Sequence, residues 1–188
     1  MTNRLKSHAN MRLKIFIVSL ILILALLGGY IFYVVDQGNF HAITEGEAYR
    51  SAQLDRDKLE YYIRRYNIKS ILNLRGTNPD SDWYREELRV STANHIKHYD
   101  IALSSTREPT EKDVKQLTEI FREAPRPILI HCQSGADRSG LVAAMWKIIV
   151  DHESKPEAEK QLSIFYGHVF LGGRDTMDRF FEKWQHSH

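Results

Sequence analysis

Hydrophobic and polar positions along the chain fall into stretches of distinct period. The longest apolar stretch is Ile15–Val35, 21 positions without a charged residue. As a helix it would be about 31 Å long, enough to cross a hydrocarbon core. Asp55–Tyr66 places Leu59, Tyr62, Ile63 and Tyr66 on one helical face. Ile68–Leu74 alternates as a strand, and Asn78-Pro79-Asp80 is a turn. Ser81 caps a helix running to about Val90, with Trp83, Tyr84 and Leu88 as its packing set. His95–Ala102 reads as a second strand. Thr110 caps the next helix, with Asp113 near its positive end and Val114, Leu117, Ile120 and Phe121 facing inward. Pro125 and Pro127 end that helix and launch the apolar run Ile128-Leu129-Ile130, a buried strand. Leu141–Val150 reads as a helix. Pro156 starts a further helix carrying Ala158, Leu162 and Phe165. Leu171-Gly172-Gly173-Arg174 is a turn, and Asp175 caps a last helix with Met177, Phe180, Phe181 and Trp184.

Charge sorts these stretches into regions. Arg4, Lys6, Arg12 and Lys14 precede the long apolar run, and no acidic residue occurs before Asp36. The positive-inside tendency then places the N-terminus in the cytoplasm and the remainder beyond the membrane. The rival reading, a cleaved signal peptide, is disfavoured because no small-x-small site closes the run. The expected organisation is a basic tail over residues 1–14, a transmembrane helix over 15–35 and one domain over 36–188, joined by the short juncture Gln37-Gly38-Asn39. This predicts a single-pass membrane protein with an extracytoplasmic domain. The net charge of +2 belongs to the four N-terminal cations; from Asp36 onward there are 24 acidic and 22 basic residues. A near-neutral domain lacks the basic footprint of a nucleic-acid binder.

The chemistry concentrates between the buried strand and the helix after it. His131-Cys132-Gln133-Ser134-Gly135-Ala136-Asp137-Arg138-Ser139-Gly140 holds the only cysteine of the chain, with an arginine after five intervening residues. A strand, a glycine-containing loop and a helix N-terminus form an anion cradle. Loop amides from Gln133 to Arg138 would bind a phosphate, and their dipoles favour the Cys132 thiolate, the nucleophilic form. The planar fork of Arg138 matches two phosphate oxygens. Ser139 is placed to donate to the sulfur, and His131 to hold the loop by hydrogen bonding. With one cysteine no internal disulfide forms, and a reactive thiol in an oxidising space is open to oxidation.

His131-Cys132, five residues, then Arg138-Ser139-Gly140 resembles the active-site loop of cysteine-dependent protein tyrosine and dual-specificity phosphatases. Ala48-Tyr49-Arg50-Ser51-Ala52-Gln53-Leu54 and Ile68–Arg75 resemble the opening of the atypical group found in plants, fungi and bacteria. The resemblance covers roughly residues 40–185. It implies an α/β, three-layer phosphatase fold with a central mixed sheet flanked by helices. It also implies a phosphocysteine intermediate, with no metal and no cofactor, and, taken with the charge bias, a bacterial inner membrane with a periplasmic domain.

Such an enzyme needs a proton donor for the leaving oxygen. Asp100, 32 positions before Cys132, has the separation typical of smaller members. The family's acid loop otherwise matches Leu103–Pro109, where this chain carries serines and Glu108 in place of an aspartate. Asp137, within the loop, is the second candidate, since some lipid phosphatases of the superfamily carry an aspartate there. Arg107 and Arg174 stand near the expected pocket mouth, with a solvated surface role as the competing reading. His186 and His188 suggest metal only superficially. The leading expectation is a membrane-anchored phosphatase of phosphotyrosine proteins, with phosphoserine and phosphothreonine allowed by a shallow pocket. A phospholipid or inositol phosphate phosphatase is the alternative, although Gln133, Ser134 and Ala136 add no cation to the loop. A non-catalytic phosphate-binding module and a rhodanese-like sulfurtransferase are the remaining readings.

Overall fold

A computed structural model of the protein describes residues 2–168 and 176–185. The chain divides into two compact units, Met1–Gln37 and Gly38–His188. The first is a single helix, α1 (Thr2–Asp36). Its stretch Met11–Tyr30, with mean hydropathy 2.4, is long and apolar enough to cross a membrane by length and composition.

The second unit is built on a five-stranded mixed sheet in the order β1-β2-β5-β3-β4. The strands are β1 (His41–Thr44), β2 (Ala48–Ser51), β3 (Ser70–Asn73), β4 (Lys97–Asp100) and β5 (Ile128–His131). Only β1 runs antiparallel to its neighbour; β2, β5, β3 and β4 are mutually parallel. Alternation along β5 divides the core. Ile128 and Ile130 face one side with Leu72, Leu74 and Ala48, while Leu129 faces the other with Tyr49 and Ile71. The first side is covered by α4 (Glu111–Glu123), α5 (Asp137–Ile149), α6 (Lys155–Glu159) and α7 (Thr176–Lys183). The second is covered by α2 (Arg56–Tyr66) and α3 (Asp82–Ala93). The expected three-layer α/β arrangement is therefore present, with β5 in the centre, paired on both edges and buried on both faces.

Local chemistry explains most helix boundaries. Asp55 caps α2 by accepting from the Lys58 amide, and Asn67 ends it in the left-handed region at φ 52°. Thr110 and Asp113 form a reciprocal capping box on α4. Two expectations need correction. Leu88 is 36% exposed and the core position it was assigned on α3 is taken by Glu87, 4% exposed. The helix begun at Pro156 ends at Glu159, and Phe165 lies in a 3₁₀ turn, 72% exposed. Strands β1 and β2, which carry no clean alternation, were not foreseen. Arg174, Asp175, His186 and His188 lie outside the described residues.

Candidate active site

Four parallel strands end on one side of the sheet, and the connector after each reaches the loop that follows β5. Cys132 is the first residue beyond β5, 1% exposed. The Ser139 Oγ lies 3.5 Å from its Sγ. Burial pushes the thiol up in pKa, but the Ser139 hydroxyl, the Arg138 charge and the amides of Ser139 and Gly135 outweigh it and hold the group below its ordinary value. Arg138 lies in the first turn of α5, with Nη1 3.3 Å from the carbonyl of Leu103 and 3.5 Å from that of Leu74. Gln133 and Ser134 are exposed at the loop crest, while Gly135 and Ala136 are buried.

The loop is held from below by residues distant in sequence. Arg50 on β2 is fully buried. Its Nη2 donates to the carbonyls of Gly135 and Ala136, both at 2.9 Å, and its Nη1 to the carbonyl and Oε1 of Gln161 at 2.6 and 3.1 Å. Its guanidinium also stacks on Tyr166, 4.4 Å from the ring centre. In a trans peptide the C=O and the following N–H point in opposite directions. Drawing two carbonyls down onto Arg50 therefore turns the amides of Ala136 and Asp137 the other way, toward the anion side. Asn39 donates to the carbonyls of Ser134, at 3.0 Å, and Tyr166, at 2.9 Å. Gly135 has φ +72°, and a Cβ there would sit 2.6–2.7 Å from backbone atoms of Ser51 and Ala52, so only glycine fits.

A buried polar chain runs from the loop to β4. His131 Nε2 lies 3.1 Å from Glu87 Oε1, and His98 Nε2 lies 2.8 Å from the same oxygen. Gln53 donates to Glu87 Oε2 at 2.7 Å. Burial raises the Glu87 carboxyl, yet the His131 and His98 contacts bring it well below the carboxylate range. Burial lowers His98, and bonds to Asp100 and Glu87 outweigh that, pushing it up to about 9.

The two candidate acids have different surroundings. Asp100 ends β4, and Asn73 of β3 is in register with both Asp100 and His131. Two strand spacings, about 10 Å, therefore separate the backbones of Asp100 and His131. Both Asp100 oxygens are occupied: Oδ1 accepts from Asn73 at 2.7 Å, and Oδ2 from Tyr84 at 2.8 Å, with His98 Nδ1 3.4 Å away. Burial raises its pKa and these donors outweigh it, so the carboxyl sits below its ordinary value. Asp137 lies in the loop itself. Its Oδ1 is 2.8 Å from His168 Nδ1, and its Oδ2 has no hydrogen-bond partner among the described residues.

Arg75, just beyond β3, adds a cation beside the loop. It stacks on Trp83, 3.6 Å from the ring centre, and donates to Gln53 Oε1 at 3.1 Å. It interacts electrostatically with both Arg138 and Cys132, and burial together with Arg138 lowers its pKa. Arg107 is exposed, its backbone amide bound by Ser104 Oγ. Arg50, Asn39, Glu87, His168 and Arg75 were not picked out individually from the sequence. Arg50 stood only within the Ala48–Leu54 resemblance. A charged residue in a short strand gives no sign that it is buried, because its partners lie 85 to 111 positions away.

Comparison with known proteins agrees with this geometry. A family model described as PTP-NADK, a DSP-PTPase phosphatase fused to NAD+ kinase, matches residues 34–170. The curated relative inositol diphosphatase SIW14 of Saccharomyces cerevisiae is 30% identical over 112 residues, covering 57% of this chain. The aligned part spans 38% of that relative's length. The crystal structure of the core catalytic domain of the S. cerevisiae PP-IP phosphatase SIW14, in complex with citrate, aligns with TM-score 0.62 and 27% identity. It covers 78% of this chain and 85% of the other. P. aeruginosa TpbA aligns with TM-score 0.60 and 20% identity over the same shares.

Proposed function

We propose, from the premise that this chain belongs to the DSP-PTPase phosphatase family, that it hydrolyses phosphate esters through a phosphocysteine and prefers small scaffolds bearing several phosphates. Inositol phosphates and phosphorylated lipid headgroups are that class. Arg138 binds two non-bridging oxygens, and the Cys132 thiolate attacks phosphorus in line. Asp137 delivers a proton to the leaving oxygen. Water then cleaves the S–P bond and returns its proton to Asp137. The observation that carries the reading is the floor of the loop, where a buried thiol is kept low in pKa by Ser139, Arg138 and two amides.

The substrate class is supported by Arg75. The loop supplies no cation other than Arg138, but Arg75 stands close enough to couple electrostatically to both Arg138 and Cys132. A second phosphate on the same scaffold would find it. The likeness to inositol diphosphatase SIW14 supports the same class. The apolar stretch Met11–Tyr30 supports a membrane anchor, and the basic residues before it support a cytoplasmic N-terminus with the domain on the opposite side.

The test compares the full chain in detergent with Cys132→Ser and Arg75→Met, with and without a chelator. The substrates are a small aryl phosphate, a phosphotyrosine peptide, an inositol diphosphate and a phosphorylated lipid. Expected are chelator-resistant turnover lost in Cys132→Ser, and a loss of kcat/KM in Arg75→Met on the multiply phosphorylated substrates alone. Freshly reduced protein without turnover overturns the phosphatase reading. A preference for the phosphotyrosine peptide that Arg75→Met leaves unchanged overturns the substrate class.

A further inference from the structure

His168 is completely buried, and each ring nitrogen meets a carboxylate. Nδ1 lies 2.8 Å from Asp137 Oδ1, and Nε2 lies 2.8 Å from Asp178 Oδ2 on α7. A carboxyl oxygen that carries no hydrogen accepts and cannot donate; with Asp178 ionised, and with any proton of Asp137 on Oδ2, both ring nitrogens carry hydrogen and the ring is an imidazolium. The segment that presents it is fastened under the loop. Tyr166 lies beneath Arg50 and its carbonyl takes Asn39; Gly167 turns at φ +77°, where a Cβ would stand 3.8 Å from Ala136; the His168 amide donates to Ser163. Among the described residues, the charged groups facing the ring are Asp137 from α5 and Asp178 from α7. Arg50 acts on Asp137 from β2, and Arg179 of α7 turns instead to Thr176.

We infer that His168, gripped by Asp178, is the positioning residue of the proton-transfer step: it fixes Asp137 through Oδ1 and leaves Oδ2 as the oxygen that carries the transferable proton. This rests on the phosphatase reading above. In the first step sulfur bonds to phosphorus as the bond from phosphorus to the leaving oxygen breaks, and the Oδ2–H bond gives its proton to that oxygen. The carboxylate so formed faces the Nδ1–H of the imidazolium, and Asp178 balances that ring's charge. In the second step the attacking water gives its proton back to Oδ2 as the S–P bond breaks. The cluster ends each turnover with the protons it began with.

The test uses the full chain in detergent micelles and reads kcat/KM against pH for aryl phosphates with good and with poor leaving groups. Asp137→Asn is expected to lose the basic limb and to become strongly dependent on the leaving group. His168→Gln is expected to lose about tenfold on the poor leaving group only. Wild-type profiles in His168→Gln, or a loss equal for both leaving groups at every pH, reduce His168 to a structural part and overturn the inference. An unchanged limb in Asp137→Asn does so as well. Wild-type protein without Cys132-dependent turnover instead overturns the phosphatase reading. Where His168→Gln does not fold, nitrogen NMR of the wild-type imidazole decides. A ring protonated above pH 7 whose Nδ1 resonance shifts when vanadate binds supports the inference, and a neutral or unresponsive ring overturns it.

Discussion

Replacing Arg50 should separate the architecture of the loop from its chemistry, because Arg50 touches the loop only from beneath. In Arg50→Met the carbonyl of Ala136 keeps the Gly140 amide as a donor, but those of Gly135 and Gln161 lose theirs among the described residues. A stranded buried acceptor costs about 1–3 kcal/mol. Removing a fully buried guanidinium returns part of that, since burying the charge was itself expensive. The balance is a destabilisation of about 3 kcal/mol, or roughly 10 °C in midpoint for a domain of this size. Function should fall further than stability. With the Gly135 and Ala136 carbonyls released, the next amides no longer converge on the anion. Inhibition by vanadate should weaken at least about tenfold in folded protein, as expected when charge-assisted positioning of amide donors is lost. Arg50→Lys, with one ammonium in place of a fork, should fall between the two. The assay is thermal denaturation paired with vanadate inhibition of aryl phosphate turnover. An Arg50→Met protein with a wild-type midpoint and wild-type vanadate affinity would refute the account of the loop.

Three further outcomes follow from the same geometry. Gly135→Ala places a Cβ against Ser51 and Ala52 at φ +72° and should cost about 2–4 kcal/mol in denaturant unfolding, with loss of turnover at temperatures where the protein stays folded. Asp100→Asn should lose about 1–2 kcal/mol of stability from weakened bonds to Asn73, Tyr84 and His98, yet keep the basic limb of the pH–rate profile; loss of that limb would make Asp100 the acid. His98 is raised to about 9, above its unfolded value near 6.5. Its contribution is therefore complete below about pH 6.5 and disappears as pH rises through 9, up to about 3 kcal/mol. His98→Gln should flatten stability between those limits, and an unchanged slope would show that the proton resides elsewhere.

The parts legible in the sequence are those set by neighbours in the chain. The Thr110–Asp113 capping box, the amphipathic face of α2 and the strand–loop–helix around Cys132 need no distant partner to be read. The paired-carboxylate setting of His168 and the burial of Glu87 do need one. Glu87 reads as an ordinary surface acid of an amphipathic helix until β4 brings His98, and β5 brings His131, to the same carboxylate. The error at Leu88 is the other face of this: one position along α3 turns the helix by about 100°, and the site's polar chain, rather than apolar content, sets which residue points inward. Strands β1 and β2 escaped because Glu45-Gly46-Glu47 interrupts them and β2 is buried on both faces, so no alternation survives. Of the two aspartates weighed for the proton, only the fold distinguishes one with both oxygens occupied from one with an oxygen to spare.

The placement of the Cys132 loop at the carboxyl ends of four parallel strands has a consequence for how such a protein can diversify. The loop is bordered by Gln53 after β2, Arg75 after β3 and Leu103 after β4, each on a separate connector. The cysteine just beyond β5, its arginine on α5 and the Arg50 support on β2 stay in place. Exchange of one connector would rewrite which molecules are accepted while the bond-breaking apparatus is inherited intact. Descendants of one ancestral scaffold could then part ways in diet while sharing a single set of teeth.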